Sequence, residues 1–175
     1  DGSIYEGEWK DDRRHGSGKY QCPSGLSYEG EWKNDMKDGR GWMKYANGDE
    51  YMGTWSSNKP HGTGTSTYKN GVLITKYDGE FKDGRRSGKG TAQYVSGNKY
   101  EGEWLEDLPH GSGKLTQSNG VVIEGKWHSG TIDPKSCVLT SSTASVQSTD
   151  NPESLVEPMY FPTYADPSTV PMFDF

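Results

Sequence analysis

Paired carboxylates are the first residues in this sequence that could carry out chemistry. Each pair is separated by one residue, and there are three pairs: Glu6 and Glu8, Glu29 and Glu31, and Glu101 and Glu103. Two carboxylates act as general acid and general base only where their surroundings push the two pKa values apart. Because these pairs recur at strand spacing, we expect the solvated face of a sheet with cross-strand lysine partners such as Lys19 and Lys44. An acidic surface for a basic partner is the alternative interpretation.

Histidines and Gly-x-Gly motifs could serve a metal or a nucleotide. His15, His61 and His110 share one position in a repeated pattern, and on a sheet they would lie about 19 Å apart, too far to share a metal ion. The Gly-x-Gly motifs recur without the following helix and Lys-Ser/Thr pair of a phosphate loop. We therefore expect structural roles for both, with no metal site and no cofactor. Since no nucleophile–base pair stands out either, we predict a protein that is not an enzyme.

A repeated motif must position all of these residues. Tyr-Glu-Gly-Glu-Trp, or a close variant, begins at residues 5, 28, 51, 77 and 100, and a weaker copy begins at Ile123. Aromatic and acidic residues alternate with a period of two, which indicates a strand, and the following Gly-x-Gly segment predicts the return strand. The pattern predicts an all-β fold of eleven strands, an elongated, twisted antiparallel sheet of repeated β-hairpins. Three extra residues before Tyr77 predict a longer strand or a bulge.

Glycine and aromatic residues in these strands form one predicted packing device. A ring that lies flat over the neighbouring strand leaves no room for a Cβ beneath it, which explains glycine inside a strand. A sheet of one layer cannot bury both faces, so part of the aromatic strip is predicted to remain exposed as a peptide-binding groove. Its predicted residues are Tyr5, Trp9, Tyr28, Trp32, Tyr51, Trp55, Tyr77, Phe81, Tyr100 and Trp104.

Basic residues follow most copies of the motif and are predicted to line up as a basic rim along one edge of the sheet. They are Arg13, Arg14, Lys37, Lys59, Arg85 and Arg86. One interpretation is protection of the sheet edge against aggregation. The other is binding of anionic phospholipid headgroups or of an acidic peptide.

Charge and composition divide the chain into a predicted repeat array at 1–134, a Ser/Thr-rich linker at 135–151 and a tail at 152–175. The net charge of −6 separates into −1 before residue 136, with 19 bases and 20 acids, and −5 after it. A near-neutral array argues against nucleic-acid binding, which needs a net basic surface. Two cysteines without framework spacing indicate free thiols and a cytoplasmic protein. Open sheet ends make an edge-to-edge homodimer a further expectation.

The tail combines acids, prolines and large apolar residues, and it contains no Lys or Arg. Proline keeps such a segment extended, while its apolar side chains can bind a surface, so we predict a short linear ligand that docks on a sheet of this kind, in cis or on a neighbouring copy. The predicted contact residues are Met159, Tyr160, Phe161, Tyr164, Met172, Phe173 and Phe175.

The motif followed by Gly-x-Gly at a spacing of 23 residues resembles the MORN repeat family over about residues 1–130. The resemblance implies a sheet of hairpins with a groove along one face, and a role as scaffold or organiser. We therefore expect an adaptor that binds a protein segment, with cytoskeletal or membrane-associated partners and a location at the cytoskeleton or the cytoplasmic face of a membrane. The alternatives are attachment to membrane phosphoinositides and a regulatory module of a larger enzyme.

Overall fold

The computed structural model describes residues 2–141, which form thirteen strands in one antiparallel sheet. Within these residues there is no helix, and the predicted all-β sheet of hairpins is confirmed. The strands are β1 (Ile4–Lys10), β2 (Arg13–Gln21), β3 (Ser27–Lys33), β4 (Met36–Lys44), β5 (Glu50–Ser56), β6 (Lys59–Thr67), β7 (Ile74–Lys82), β8 (Arg85–Tyr94), β9 (Lys99–Leu105), β10 (Leu108–Thr116), β11 (Val121–His128), β12 (Thr131–Ile132) and β13 (Val138–Ser141).

Each strand from β1 to β11 pairs with the next one in the chain, so the sheet is a meander. Two kinds of turn alternate along it. In the wide turns, Gly25, Gly48, Gly97 and Gly120 adopt positive φ, whereas Gly71 does not. The tight turns have two residues, both at positive φ, as at Asn34 (50°) and Asp35 (69°). Two positive φ values give a turn whose twist matches that of the strands, and Asn and Asp tolerate this conformation best after glycine.

Two faces follow from the alternation of side chains. The Tyr and Trp of each motif point to one side, which we call the aromatic face, and the acidic residues between them point to the other, which we call the polar face. Thus Tyr28 and Trp32 are buried while Glu29 and Glu31 are exposed. The three extra residues before Tyr77 lengthen β7 and introduce a shift of register between Ile74 and Lys76, as predicted.

Rings on the aromatic face interlock into one continuous row. Within a repeat the Tyr and Trp ring centroids lie about 5.1 Å apart and nearly perpendicular, as for Tyr28 and Trp32. The same Tyr ring meets the Trp of the next repeat edge-on, at 5.4 Å for Tyr28 and Trp55. Four tryptophans donate the indole N–H to a glycine carbonyl of an earlier strand, as Trp55 does to Gly41 at 3.2 Å. They are Trp32, Trp55, Trp104 and Trp127. The hydrophobic core therefore runs along the sheet and not between two layers.

The last repeat ends differently from the prediction. The predicted eleven strands would end with β11, before Pro134, which stands where the other repeats have a glycine. The structure instead forms the return strand in two pieces, β12 and β13, which both pair with β11 and lie on either side of the irregular segment at 133–137. Proline interrupts the strand only where it stands. The sheet consequently continues to Ser141, past the boundary predicted at 134.

Candidate functional site

The predicted groove residues lie on the aromatic face, but most of them have no surface to offer. Tyr28, Tyr51, Tyr77 and Tyr100 are at most 1% exposed, and Trp32, Trp55, Phe81 and Trp104 are at most 6% exposed. The strand pattern identified the face correctly. It could not show that alternating rings cover each other edge-on, so we correct the prediction of an open aromatic groove. Only Tyr5 and Trp9 at the first strand keep exposed surface, with Trp9 at 59%.

The predicted basic rim separates into two rows. Arg13, Lys59 and Arg85 begin their strands and are exposed. Arg14, Lys37 and Arg86 instead turn onto the aromatic face and stack on the Trp of the next repeat; the distances to the ring centroids are 4.5, 4.7 and 4.9 Å, to Trp32, Trp55 and Trp104 respectively. Arg13 and Arg14 are consecutive, as are Arg85 and Arg86, and consecutive positions on a strand point to opposite faces. We therefore correct the rim: these three cations do not belong to it.

Acids in the tight turns also reduce the basic character of this edge. Arg14 Nε lies 3.1 Å from Asp35 Oδ1, and Arg86 Nε lies 2.9 Å from Asp107 Oδ1. Arg85 pairs more loosely with Glu106 at 3.6 Å. Hydrogen bonds from Arg14, the backbone N–H first, hold the pKa of Asp35 below its usual range. Guanidinium groups engaged in this way contribute little to the binding of an anionic surface.

One position per repeat, which we call the stacked row, links neighbouring repeats by a common rule. It holds Arg14, Lys37, Pro60, Arg86 and Pro109. Where the row has a backbone N–H, the next tight turn supplies a side-chain oxygen that accepts it: Asp35 for Arg14, Asn58 for Lys37 and Asp107 for Arg86, at 2.8–3.0 Å. The row has proline at Pro60 and Pro109, and proline has no N–H to donate. In both cases the next tight turn has glycine, and Gly84 and Gly130 donate only their own N–H to the proline carbonyls.

Lys37 differs from its two arginine equivalents because its turn partner is the neutral Asn58. Its ammonium lies over the rings of Trp55 and Tyr28, at 4.7 and 5.6 Å from their centroids. Burial, with a smaller contribution from the nearby Arg14 charge, lowers the pKa of Lys37 to about 8. This amine titrates close to neutral pH.

The paired glutamates divide their tasks. The second of each pair accepts the backbone N–H at the bulge of the return strand, as Glu31 does from Arg40 at 2.8 Å and Glu103 from Ser112 at 3.0 Å. In the third repeat the Thr54 hydroxyl takes this place and donates to the His61 carbonyl. The first of each pair faces a ladder neighbour, as Glu29 faces Lys19. Of the two predicted lysine partners, Lys44 faces Glu50 rather than a paired glutamate.

The predicted structural histidines sit directly before the bulge glycines, which adopt positive φ at Gly16, Gly62 and Gly111. His110 also packs edge-on against His128, with ring centroids 5.7 Å apart. The sequence did not suggest this contact, because the two histidines occupy different positions of the repeat. In residues 2–141 no group of three or more His, Cys, Asp or Glu side chains could hold a metal ion.

A cleft of about 920 Å³ lies on the polar face, across strands β2–β6. Its floor is the backbone at Gly18, Gly30, Gly41 and Gly53, between two rows of side chains that point to the polar face. The aromatic face requires these glycines: a Cβ at Gly41 would point to that face and lie 2.2 Å from the Tyr28 hydroxyl. The side chains that border the cleft come from the alternate positions of the same strands.

Two large apolar side chains stand exposed in this cleft. Trp42 is 40% exposed and Met52 is 63% exposed, and the two residues are direct cross-strand partners. The Trp42 indole N–H points to Glu50, with a distance of 3.3 Å. We did not single out either residue from the sequence. The signal was nevertheless present, because Trp42 stands where other repeats have Lys19 or Thr65, and Met52 stands where they have an acid such as Glu29.

An open sheet of hairpins with an interlocked aromatic core and no second layer defines a repeat protein. A family model described as MORN repeat matches residues 5–27, 28–50, 51–72, 77–99 and 100–122. The chain belongs to the MORN repeat family. Comparison with curated proteins found no relative that matches it. MORN repeats are generally non-enzymatic modules of scaffold or membrane-associated proteins.

Two findings complete the description. Both cysteines, Cys22 and Cys137, are free thiols. None of the residues from 2 to 141 forms a helix long and apolar enough to cross a bilayer. The predicted ligand residues of the tail, from Met159 to Phe175, lie outside the described residues.

Proposed function

We propose that this protein is a non-enzymatic scaffold that binds an extended protein segment in the cleft of its polar face. The observation that supports this proposal is the exposed pair of Trp42 and Met52 over a glycine floor. Exposed Trp and Met side chains are costly to leave in water and are enriched at binding hot spots. Since the array places a charged or small polar residue at both positions in most other repeats, its fold does not require these two.

The shape of the cleft favours a protein segment over a membrane. A trough whose floor is backbone accepts a single extended chain, whose side chains reach the exposed pair. A flat bilayer surface touches only the rim of such a trough. Exposed cations do border it, and binding to vesicles of phosphatidylserine and phosphatidylcholine tests the membrane alternative. Sedimentation of the protein with these vesicles that is independent of Trp42 would favour that alternative.

Selection of random twelve-residue peptides on the full chain tests the proposal directly. We expect enriched peptides to bind with affinities measurable by fluorescence anisotropy. Trp42→Thr should weaken that binding at least tenfold, because truncation of a buried hot-spot Trp costs about 2 kcal/mol or more. The substitution introduces the residue that Thr65 and Thr91 already supply at this position, so the fold should tolerate it.

Val72→Thr is the matched control, because Val72 is 85% exposed and lies in a wide-turn segment outside the cleft. We expect it to change the affinity less than twofold. If no peptide is enriched, or if the enriched peptides bind the Trp42→Thr protein as well as the wild type, the cleft is not a protein-binding site. Location in the cytoplasm, at the cytoskeleton or at a membrane face, stays a prediction.

A further inference from the structure

Exposed bases surround the pair of Trp42 and Met52. On the polar-face ladder positions of β2–β6 there are six of them: Arg13, Lys19, Lys33, Arg40, Lys44 and Lys59. The same positions hold three acids, Glu29, Glu31 and Glu50, and the lining of the cleft itself has two bases, Lys19 and Arg40, and two acids, Glu29 and Glu31.

Two of these acids are already engaged. Glu31 accepts the Arg40 backbone N–H, and Glu50 faces the Trp42 indole. A further acid, Asp38, stands at the β4 bulge and accepts the Ser57 N–H of a tight turn at 3.4 Å. The cleft is therefore neutral in formal charge, and its bases Lys19 and Arg40 are exposed. This face is therefore not the acidic surface that was one interpretation of the paired glutamates.

From this surface we infer that residues 152–175 of the same chain occupy the cleft. The inference rests on the proposed function, since it names the segment that the cleft binds. Residues 152–175 contain four acids, Glu153, Glu157, Asp166 and Asp174, and no base. They also carry the large apolar side chains that a contact with Trp42 and Met52 requires, including Tyr160 and Phe161. The apolar side chains complement the exposed pair, and the acids can pair with exposed bases of the cleft such as Lys19 and Arg40.

The other surfaces fit this segment less well. The aromatic face has its rings buried, and its arginines Arg14 and Arg86 are already paired with the tight-turn acids Asp35 and Asp107. The chain length also permits docking in cis. Strand β13 lies beyond β11, seven strand positions from β5, a distance of about 34 Å. Residues 142–158, which connect it to Met159, can span up to about 56 Å when extended.

The docked segment acts as an internal competitor for partners of the cleft. A site that is occupied by its own tail for nine-tenths of the time binds a partner tenfold more weakly than a free site. The double substitution Tyr160→Ser with Phe161→Ser should therefore tighten the binding of the selected peptides about tenfold in the full chain. The matched control is Val170→Ser with Thr169→Ser, which leaves both aromatic side chains in place, and we expect less than a threefold change.

A nitroxide locates the segment without relying on affinity. In a Cys22→Ser, Cys137→Ser chain, a label attached through Ser168→Cys should broaden the amide signals of Met52 and Thr54 and leave those of Leu115 and Lys126 sharp. A mixture of two kinds of chain distinguishes docking in cis from docking in trans: one kind carries the nitroxide and no ¹⁵N, and the other carries ¹⁵N and no nitroxide. Broadening in this mixture requires contact between two molecules. Broadening in the mixture overturns docking in cis.

The outcomes separate this inference from the proposed function. In one outcome, the selected peptides need Trp42 but bind equally well to the wild type and to the Tyr160→Ser, Phe161→Ser chain, and the nitroxide causes no local broadening. This outcome leaves the proposed scaffold function intact and overturns the tail as the occupant of the cleft. Failure of every peptide to bind, even to the chain with the substituted tail, overturns the proposed function itself. Tenfold tighter binding together with broadening at Met52 supports both.

Discussion

Tyrosine and glycine form one packing unit at the residue scale. The Tyr28 ring lies across the glycines of the return strand, and its hydroxyl donates to the Glu31 carbonyl at 3.0 Å. A Cβ at Gly41 would lie 2.2 Å from that hydroxyl and 2.4 Å from the ring carbon that bears it. Neither the ring, held by Trp32 and Trp55, nor the backbone beneath it can move freely.

Gly41→Ala should therefore destabilise the protein by about 2–4 kcal/mol, measured by urea unfolding, because overpacking forces the ring out of its contact. The control is Gly25→Asn in a wide turn, where no atom lies within 4 Å of an added Cβ and Asn tolerates the positive φ. We expect it to cost less than about 1 kcal/mol. Equal costs at the two positions would contradict the packing unit.

Lys37 offers a second test at this scale. Its pKa is about 8 in the folded protein because the ammonium is buried, and a free lysine titrates near 10.4. Between these two values the unfolded chain holds a proton that the folded chain has released, so stability rises with pH from about 8 to about 10. Below pH 8 the folded state carries the cost of the buried charge, which stacking on Trp55 partly offsets.

Lys37→Met should raise the free energy of unfolding at pH 7 by about 1–3 kcal/mol, and the gain should vanish toward pH 10. Urea unfolding of both proteins between pH 7 and 10 measures the difference. Lys59→Met, at an exposed position one strand away, serves as the control and should show no such pH dependence. A difference between Lys37→Met and the wild type that is constant over this range would show that the pKa is not lowered.

At the element scale, tight turns and the stacked row hold neighbouring hairpins together. Arg86 is 3% exposed, and Asp107 accepts both its backbone N–H and its Nε. Substitution of either residue alone would leave the other without its partner. The array itself shows the alternative solution, Pro60 with Gly84. The two solutions should be interchangeable only as pairs.

A double-mutant cycle tests this coupling. Asp107→Gly should cost about 3–5 kcal/mol, because it leaves the buried Arg86 without its carboxylate. Adding Arg86→Pro should recover about 1–3 kcal/mol relative to the sum of the single effects. Asp107→Gly combined with the distant Arg14→Pro is the control pair and should be additive within about 0.5 kcal/mol. Additivity of the first pair would mean that the two residues are independent.

The elements themselves followed from the sequence because their signals are local. A period of two and glycines at fixed phase determine the strands, the hairpins and the side to which Tyr28 or Trp32 points. The split return strand did not follow, since Pro134 excludes ladder hydrogen bonding only at its own position. The tight turns were not predicted, because most of them, like Asn34 and Asp35, hold no glycine to mark the positive-φ positions of a two-residue hairpin turn.

At the scale of the whole molecule, the sequence predicted the fold better than the site. A single-layer sheet was expected to leave its rings exposed, but ring orientation depends on contacts between repeats and is not encoded in spacing. The rings are buried, and the accessible cleft lies on the opposite face, where Trp42 and Met52 break the charge pattern of the array. Deviations from a repeat pattern are therefore better indicators of a site than the pattern itself.

The aromatic core also couples the whole array to alkaline pH. Burial raises the pKa of the hydroxyls of Tyr28, Tyr51, Tyr77, Tyr94 and Tyr100. In the unfolded chain these hydroxyls ionise near pH 10. Above that pH the unfolded state releases protons that the folded state keeps. Stability is therefore fully present below pH 10 and falls as the pH rises, by up to about 1.4 kcal/mol per pH unit for each tyrosine.

Five such groups give a slope of up to about 7 kcal/mol per pH unit, so we expect one cooperative unfolding transition above pH 10. Phenolate absorbance at 295 nm and near-UV circular dichroism should change together for the buried tyrosines. Tyr100→Phe removes one titrating group and should make the loss of stability shallower by about a fifth. Complete ionisation of the tyrosines while the near-UV spectrum stays native would show that solvent reaches the rings, and that the core is not a closed row.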